Sequence, residues 1–333
     1  MPADFTPSSV TFVSAEAGWV LGTAPCSSAP CTSIVRTRDG GRSWMGVPAP
    51  RAPLGGDGQA AVSVVRFANG YDGWAGVGGL YATHDGGVTW HAQQVGSANT
   101  VVTSVEAGGG YVYTAARPCA PAGGRCSPKL SVYASPVHAD DWQTLASGLA
   151  SGNGGTGLVV HDADWFLPTA AGIYSGHGLG SARRIANPCS GGSSSGLPAA
   201  VPVTAAPDAV HLDALCTLGA AAGSSRYQLY VTTDAGAHWA KAGCPHLEAS
   251  GLFGITDNGD GVLLAATASG SSQIIRSTDD GGTFEQAALS APAGGVPWAD
   301  LGFTTSQQAV AVLRGTALYL SRDAGASFSA VSF

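Results

Sequence analysis

An eight-residue motif that recurs five times limits the possible folds of this chain more than any other feature. Its pattern is Ser/Thr-x-Asp-x-Gly-x-Ser/Thr-aromatic, with His238 replacing the second hydroxyl residue in one copy. The five copies occupy residues 37–44, 83–90, 232–239, 277–284 and 321–328. The aspartate of such a motif accepts hydrogen bonds from backbone N–H groups of its own turn, and the glycine adopts a positive φ. Each copy is therefore predicted to be a hairpin turn whose aromatic residue packs between neighbouring sheets.

The aspartate and the aromatic residue of each copy are predicted to be its structural residues. They are Asp39 and Trp44, Asp85 and Trp90, Asp234 and Trp239, Asp279 and Phe284, and Asp323 and Phe328.

The spacing of the motif gives the number of repeating units. Asp39 and Asp85 are 46 residues apart, and the last two intervals, which end at Asp279 and Asp323, are 45 and 44 residues. The 149 residues between Asp85 and Asp234 equal about three such steps, so two further units with altered turns are expected, at residues 135–142 and 175–182. Units of roughly 40–50 residues that each hold several short strands are typical of β-propellers.

The sequence therefore predicts an all-β, seven-bladed β-propeller in one domain, residues 1–333. Each blade is expected to have four antiparallel strands, with the motif turn between the third and the fourth. We expect the ring to close near Val10, by side-chain packing between the first and last blades or by residues 3–6 adding a strand to blade seven. The predicted blades span approximately residues 9–48, 61–94, 101–145, 157–187, 208–243, 251–288 and 299–333.

Composition excludes two classes of function. Only 11% of the residues are charged, the net charge is −7, and the chain has two lysines, Lys129 and Lys241. A nucleic-acid-binding protein needs clustered Lys and Arg to displace counterions from phosphates, and the sequence has no such cluster. It also has no apolar run of the roughly 18 residues that span a bilayer. The first residues lack the basic and apolar regions of a signal peptide, so we expect that any export signal was removed from this chain.

The seven cysteines indicate an oxidising compartment. Cys26 and Cys31, and likewise Cys119 and Cys126, form close pairs within loops rich in Pro, Gly and Ser, with spacers longer than most zinc sites use and no neighbouring His. Two loop-closing disulfides are the favoured interpretation. A third disulfide is predicted between Cys189 and Cys216, with Cys216–Cys244 as the alternative; the first pairing leaves Cys244 as a free thiol.

The repeated motif resembles the Asp-box (BNR) repeats of sialidases, xyloglucanases, sortilin-type receptors and photosystem-assembly-factor propellers. The resemblance covers residues 9–333, and the Gly-Trp pairs at residues 18–19 and 73–74 are most similar to the assembly-factor-like propellers of bacterial envelopes, often called sialidase-like. In these proteins the boxes are structural and lie away from the usual binding face. The resemblance therefore implies a ligand on the face opposite the boxes.

Neither sialidase nor xyloglucanase activity maps onto the sequence residue by residue. Another glycoside hydrolase needs only two carboxylates at a suitable separation, and Glu248 with Asp300 is the pair on the predicted binding face. The candidate ligand-binding residues on that face are Arg51, Arg226, His246 and Trp298, with Trp298 a possible platform for sugar stacking. The alternative for Trp298 is packing between blades. The stretch "HDAD" at residues 161–164 is interpreted as solvated turn chemistry rather than a metal site.

The function predicted from the sequence is a non-catalytic binding or scaffold propeller that is secreted or located in the cell envelope. We expect a monomer with a protein or glycan partner, no metal and no cofactor. The alternative function is a glycan-active hydrolase that uses the Glu248–Asp300 pair.

Overall fold

Seven sheets, each with four antiparallel strands and the seventh with one added strand, confirm the predicted all-β, seven-bladed β-propeller. The computed structural model describes residues 4–27, 30–55, 60–120, 124–150, 157–191, 201–221, 224–243 and 251–333. In these ranges the single helix is a short 3-10 helix, Pro188–Gly191.

The first four sheets each run in chain order from their first to their last strand. Their strands are β1 (Thr6–Phe12), β2 (Gly18–Ala24), β3 (Cys31–Thr37) and β4 (Met45–Val47); β5 (Val64–Phe67), β6 (Gly73–Val77), β7 (Gly79–Thr83) and β8 (His91–Ala92); β9 (Thr100–Gly108), β10 (Tyr111–Pro118), β11 (Lys129–Pro136) and β12 (Gln143–Ala150); and β13 (Val159–His161), β14 (Asp164–Thr169), β15 (Gly172–His177) and β16 (Arg183–Ile185).

The last three sheets follow the same order, and the seventh has a fifth strand. Their strands are β17 (Val203–Ala205), β18 (Leu212–Ala221), β19 (Ser224–Thr232) and β20 (Ala240–Lys241); β21 (Gly251–Asp257), β22 (Leu263–Ser269), β23 (Ser271–Ser277) and β24 (Glu285–Gln286); and β25 (Ala288–Leu289), β26 (Trp298–Phe303), β27 (Ala309–Leu313), β28 (Ala317–Ser321) and β29 (Ser327–Ala330).

The chain divides into two compact units. Unit 1 comprises residues 1–167, 174–184 and 333, and unit 2 comprises residues 168–173 and 185–332.

The five motif copies form one repeated turn, held by its own side chains. In the first copy, Thr37 Oγ1 donates to Asp39 Oδ1 (2.8 Å), while the backbone N–H groups of Gly41 and Ser43 donate to Thr37 Oγ1 and Asp39 Oδ1 (both 2.9 Å). Hydrogen bonds from Ser43 and Thr37 lower the pKa of Asp39 to about 2. The same bonds recur in the other four copies. In the copy at residues 232–239, ring nitrogen Nδ1 of His238 replaces the second hydroxyl of the motif as the partner of the Asp234 carboxylate.

The motif glycine is required by the backbone of this turn. Its φ is 82° at Gly41 and lies in the same left-handed region at Gly87, Gly236, Gly281 and Gly325. L-residues with a β-carbon rarely adopt this conformation.

The aromatic residue that follows each turn is buried to different degrees. Trp44 and Phe328 are buried, whereas Trp90, Trp239 and Phe284 are half-buried. Trp90 packs edge-on against Phe67, and its indole N–H donates to the carbonyl oxygen of Pro48 in the preceding connection (3.0 Å).

Two sequence predictions about strand positions are corrected by the structure. Thr6 pairs with Thr23 inside the first sheet, so this part of the chain does not add a strand to the seventh sheet. The fifth strand of that sheet is β25, which pairs in parallel with β29. The fifth sheet begins at Val203, before the predicted residue 208, because Pro202 and Pro207 flank β17 and made this stretch resemble a loop.

The last residue of the chain makes an aromatic contact in unit 1. The ring of Phe333 lies 4.9 Å from Phe5 and 5.4 Å from Trp44, measured between ring centroids. The expected side-chain packing between the first and last blades stays a prediction.

Three disulfides join the cysteine pairs favoured by the sequence. Cys26–Cys31 and Cys119–Cys126 each close a short loop, and Cys189–Cys216 joins the 3-10 helix to β18 with its Cα atoms 5.3 Å apart. Cys244 lies outside the described residues.

Replacing Asp85 with alanine should lower the free energy of unfolding by about 1–2 kcal/mol, because its carboxylate accepts hydrogen bonds from Thr83 Oγ1, Thr89 N and Thr89 Oγ1. Urea denaturation measures this change. Asp141→Ala, at an exposed position, is the matched control and should change the value by less than about 0.5 kcal/mol. Equal losses in the two variants would contradict a stabilising role of the carboxylate.

Replacing Cys189 with serine should lower the free energy of unfolding by about 3–4 kcal/mol under non-reducing conditions. The disulfide spans a sequence separation of 27, and both of its cysteines are buried. Cys244→Ser is the control and should leave stability unchanged in the same denaturation experiment. The opposite ranking of the two variants would assign the bond to Cys216 and Cys244.

Candidate binding site

The first three sheets of unit 1 have connections of very different length at the ends of the sheets away from the repeated turns. We call these ends the loop edge of unit 1. Between its second and third strands the first sheet has a six-residue connection (25–30), the second sheet has Gly78 alone, and the third sheet has ten residues (119–128). A disulfide closes each of the two long connections.

The short connection of the second sheet has a strained backbone. Val77 has a φ of 71°, which is rare for a β-branched residue. Gly78 and Val102 exchange two backbone hydrogen bonds, of 2.8 and 3.0 Å, and the N–H of Gly79 donates to the carbonyl oxygen of Ala61. These bonds, to the chain before and after the second sheet, hold the turn in this conformation. Backbone strain of this kind is concentrated at binding and catalytic sites.

A cavity of about 200 Å³ adjoins this turn. Part of its lining is apolar and buried, namely Leu80, Val95 and Val102, each 3% exposed. Ala92 and Ala98 belong to the exposed part. The three buried apolar side chains form a small part of the accessible wall, which is mostly polar, and the cavity is reached from the loop edge.

The polar groups of the lining are uncharged. They are the phenol of Tyr81, the hydroxyl of Thr100 and the amides of Gln93 and Gln94. All four are already oriented by hydrogen bonds. The Tyr81 hydroxyl donates to the carbonyl oxygen of Ala60 (3.5 Å), Gln94 Nε2 donates to that of Ser97 (2.8 Å), Gln93 Nε2 donates to Asp140 Oδ2 (2.7 Å), and the Thr100 hydroxyl pairs with that of Ser97 (3.2 Å). Such a cavity suits a neutral ligand group rather than an ion.

The disulfide-closed loop of the third sheet supports one wall of this cavity. The N–H of Cys119 donates to the carbonyl oxygen of Asn99 (2.8 Å), and Asn99 lies between the lining residues Ala98 and Thr100. Because the Cys119–Cys126 bond restricts the loop, the wall is largely formed before a ligand arrives, which lowers the entropy cost of binding.

The candidate ligand residues from the sequence are distributed over both units. Arg51 is exposed in the connection between the first and second sheets of unit 1, and Arg226 is exposed on β19 of unit 2. His246 lies outside the described residues. Neither arginine lines the cavity near Val77.

Trp298 is not available as a platform for sugar stacking. It is 2% exposed, its indole N–H donates to the carbonyl oxygen of Thr267 (2.9 Å), and its ring packs edge-on against Tyr319. The alternative from the sequence, packing between sheets, describes its position. Glu248 lies outside the described residues, so its pairing with Asp300 of β26 stays a prediction.

The cavity was not anticipated from the sequence. The available signal was the Gly-rich stretch "GVGGLY" at residues 76–81, which leaves no room for a long connection between two strands. Val95 and Val102 reach the cavity because the third sheet packs on the second. No local sequence pattern reveals that contact.

Metal binding and membrane insertion each require a particular arrangement of residues. Across the described ranges, no three His, Cys, Asp or Glu side chains are grouped so that they could hold a metal ion. The same residues contain no helix of the length and apolar character needed to cross a membrane.

Comparisons with known proteins add information about the fold. No family model and no curated protein matches the chain. Among solved structures, one described as YCF48 bound to D1 peptide is 16% identical, with 97% of this chain and 95% of that chain covered and a TM-score of 0.60. YCF48 from Cyanidioschyzon merolae is 17% identical, with 97% of each chain covered and a TM-score of 0.63.

A third solved structure is the β-propeller domain of the Trilobed protease from Pyrococcus furiosus. It is 9% identical, with 100% of this chain and 97% of that chain covered and a TM-score of 0.61. At these identities the likeness extends to architecture alone, and what the comparisons show is that the chain has the fold of a seven-bladed β-propeller similar to YCF48.

Proposed function

We propose that this protein is a non-catalytic propeller that binds an extended peptide segment of a protein partner at the loop edge of unit 1. The cavity beside the strained Val77–Gly78 turn is the observation that carries this proposal. It receives one anchoring side chain of the peptide, while the rest of the segment lies along the loop edge.

The size and chemistry of the cavity favour a peptide anchor over a small-molecule substrate. Its volume of about 200 Å³ is below the roughly 300–1,000 Å³ of sites that enclose whole small molecules. Its small apolar floor, with Leu80, Val95 and Val102, suits a short aliphatic side chain, and its largely polar wall suits the polar backbone around that side chain. The exposed amide of Gln94 can pair with the backbone of the same segment, whereas Gln93 is already bonded to Asp140 and Trp142.

Two further features support the proposal. One of the similar solved propellers is described as bound to a peptide, so an architecture of this kind can present a peptide site. The repeated turns satisfy their own hydrogen bonds, in keeping with a structural role for Asp boxes and with a ligand on the opposite edge.

The proposed location is the cell exterior or envelope, because three disulfides persist in oxidising compartments. Kinship with the Asp-box propellers of bacterial envelopes is part of the same proposal. A glycan partner is the less favoured alternative, since no described aromatic side chain forms an exposed platform at the cavity.

Filling the cavity should weaken peptide binding. A peptide is first selected from a displayed random library on the whole protein, and its affinity is measured by fluorescence anisotropy. In Ala98→Trp the added ring occupies the exposed part of the cavity, and the Kd is expected to rise at least about tenfold.

Val88→Trp is the matched control for this experiment. It adds the same ring at an exposed apolar position in the repeated turn of the second sheet, away from the loop edge. Its Kd should equal that of the unmodified protein. Enrichment of no peptide, or equal affinities in the two variants, would contradict the proposed site.

A further inference from the structure

One sheet of unit 2 carries a carboxyl group at a register position that holds a buried aromatic ring in unit 1. In the first sheet Trp19 pairs with Arg36, the residue directly before the turn hydroxyl of Thr37. In the fifth sheet the corresponding pair is Asp213 with Val231, directly before Thr232. Trp74 and Tyr113 occupy this position in the second and third sheets, and all three rings are 0% exposed.

The aromatic residue that contacts this position in unit 1 is also replaced by a carboxyl-bearing residue in unit 2. Trp19 stacks on Phe67, the last residue of β5, with ring centroids 3.9 Å apart and planes 6° apart. The last residue of β21, at the same register position in the sixth sheet, is Asp257. The carboxyl groups of Asp213 and Asp257 lie within hydrogen-bonding reach of each other. A carboxyl pair in unit 2 therefore occupies the two positions of an aromatic stack in unit 1.

This pair requires a proton. An ionised carboxylate only accepts hydrogen bonds, so two of them bond to each other only when one is protonated. Asp213 is 7% exposed, and among the described residues no donor reaches its buried Oδ2. Asp257 accepts a backbone hydrogen bond from Gly259 (2.6 Å), so it is the better placed of the two to remain ionised.

The charges around the pair do not remove this requirement. The groups that act on it are Asp280, in the repeated turn of the sixth sheet, and His211, before β18. His211 is engaged by Asp208 through its Nδ1. Burial first, and then the charge of Asp257, raise the pKa of Asp213 to about 8, and burial also raises the pKa of Asp257.

We propose that Asp213 and Asp257 share one proton at the contact between the fifth and sixth sheets, and that this pair makes the stability of unit 2 depend on pH. With the proton in place, the carboxyls bond to each other and β17 packs on β21. Loss of the proton leaves two negative charges facing each other, one buried and one half-buried, which weakens the contact.

The direction of the dependence follows from proton linkage. The folded protein keeps a proton that an unfolded carboxyl, with an ordinary pKa of 3.8, releases. The stabilisation is therefore complete below the unfolded value and is lost as the pH rises through the folded value of about 8. One such proton changes the folding equilibrium constant by up to about tenfold per pH unit between the two values.

The test is urea denaturation of the whole protein at several pH values between about 5 and 9. For the unmodified protein we expect the folding equilibrium constant to fall by several-fold to tenfold per pH unit between about pH 5 and 8, and to level off above about pH 8. In Asp213→Asn, an amide of the same shape donates to Asp257 at every pH, so the dependence should be nearly flat. His residues titrate in both proteins, and the difference between the two curves isolates the pair.

A second variant and a cation control complete the test. Asp257→Asn should flatten the pH dependence in the same way, which keeps the proposal testable if Asp213→Asn does not fold. Parallel curves for the unmodified protein and the folded variants would overturn the proposal. Recovery of stability at about pH 8.5 on adding millimolar calcium would also overturn it, because the pair would then be holding a cation instead of a proton.

Discussion

The hydrogen bonds between the first hydroxyl and the aspartate of each repeated turn are the interaction on which the other elements depend. Thr37 Oγ1 accepts a hydrogen bond from the Gly41 N–H and donates one to the Asp39 carboxylate, which also accepts one from the Ser43 N–H. These four residues fix the path of the chain from β3 to β4. This path fixes the register of the third and fourth strands. The residue of the second strand that pairs with the last residue before the turn faces the next sheet.

That position shows how one backbone frame accommodates different chemistry. In unit 1 it holds Trp19, whose ring stacks on Phe67 and whose N–H donates to the carbonyl oxygen of Gly86 in the next turn. In unit 2 it holds Asp213, which bonds to a second carboxyl group. The aromatic contact gains stability from buried area, which does not depend on pH. The carboxyl contact is favourable only while a proton is available. The same backbone position therefore supports a contact whose strength is independent of pH in unit 1 and one whose strength depends on pH in unit 2.

The architecture could be predicted from the sequence because its signals are local. The motif and the close cysteine pairs each describe interactions within one turn or one loop, and the spacing of about 45 residues between copies of the motif gives the length of the repeating unit. Trp298 could not be placed in this way, since its burial depends on Thr267 and Tyr319, which lie on other strands. The cavity beside Val77 depends similarly on Val102 of the following sheet. Sequence patterns report the hydrogen bonding of a turn, but they do not report which residue of the next sheet meets it.

The contact between Phe333 and Phe5 has a practical meaning for engineering the chain. With these rings 4.9 Å apart, a short linker could join the region of residue 333 to that of residue 5. New termini could then be opened in an exposed connection, giving a circular permutant with the same set of sheets. Conversely, a fusion partner attached directly after residue 333 has to leave room for a ring that packs against Phe5 and Trp44. A flexible spacer before any tag at that end would preserve this aromatic contact.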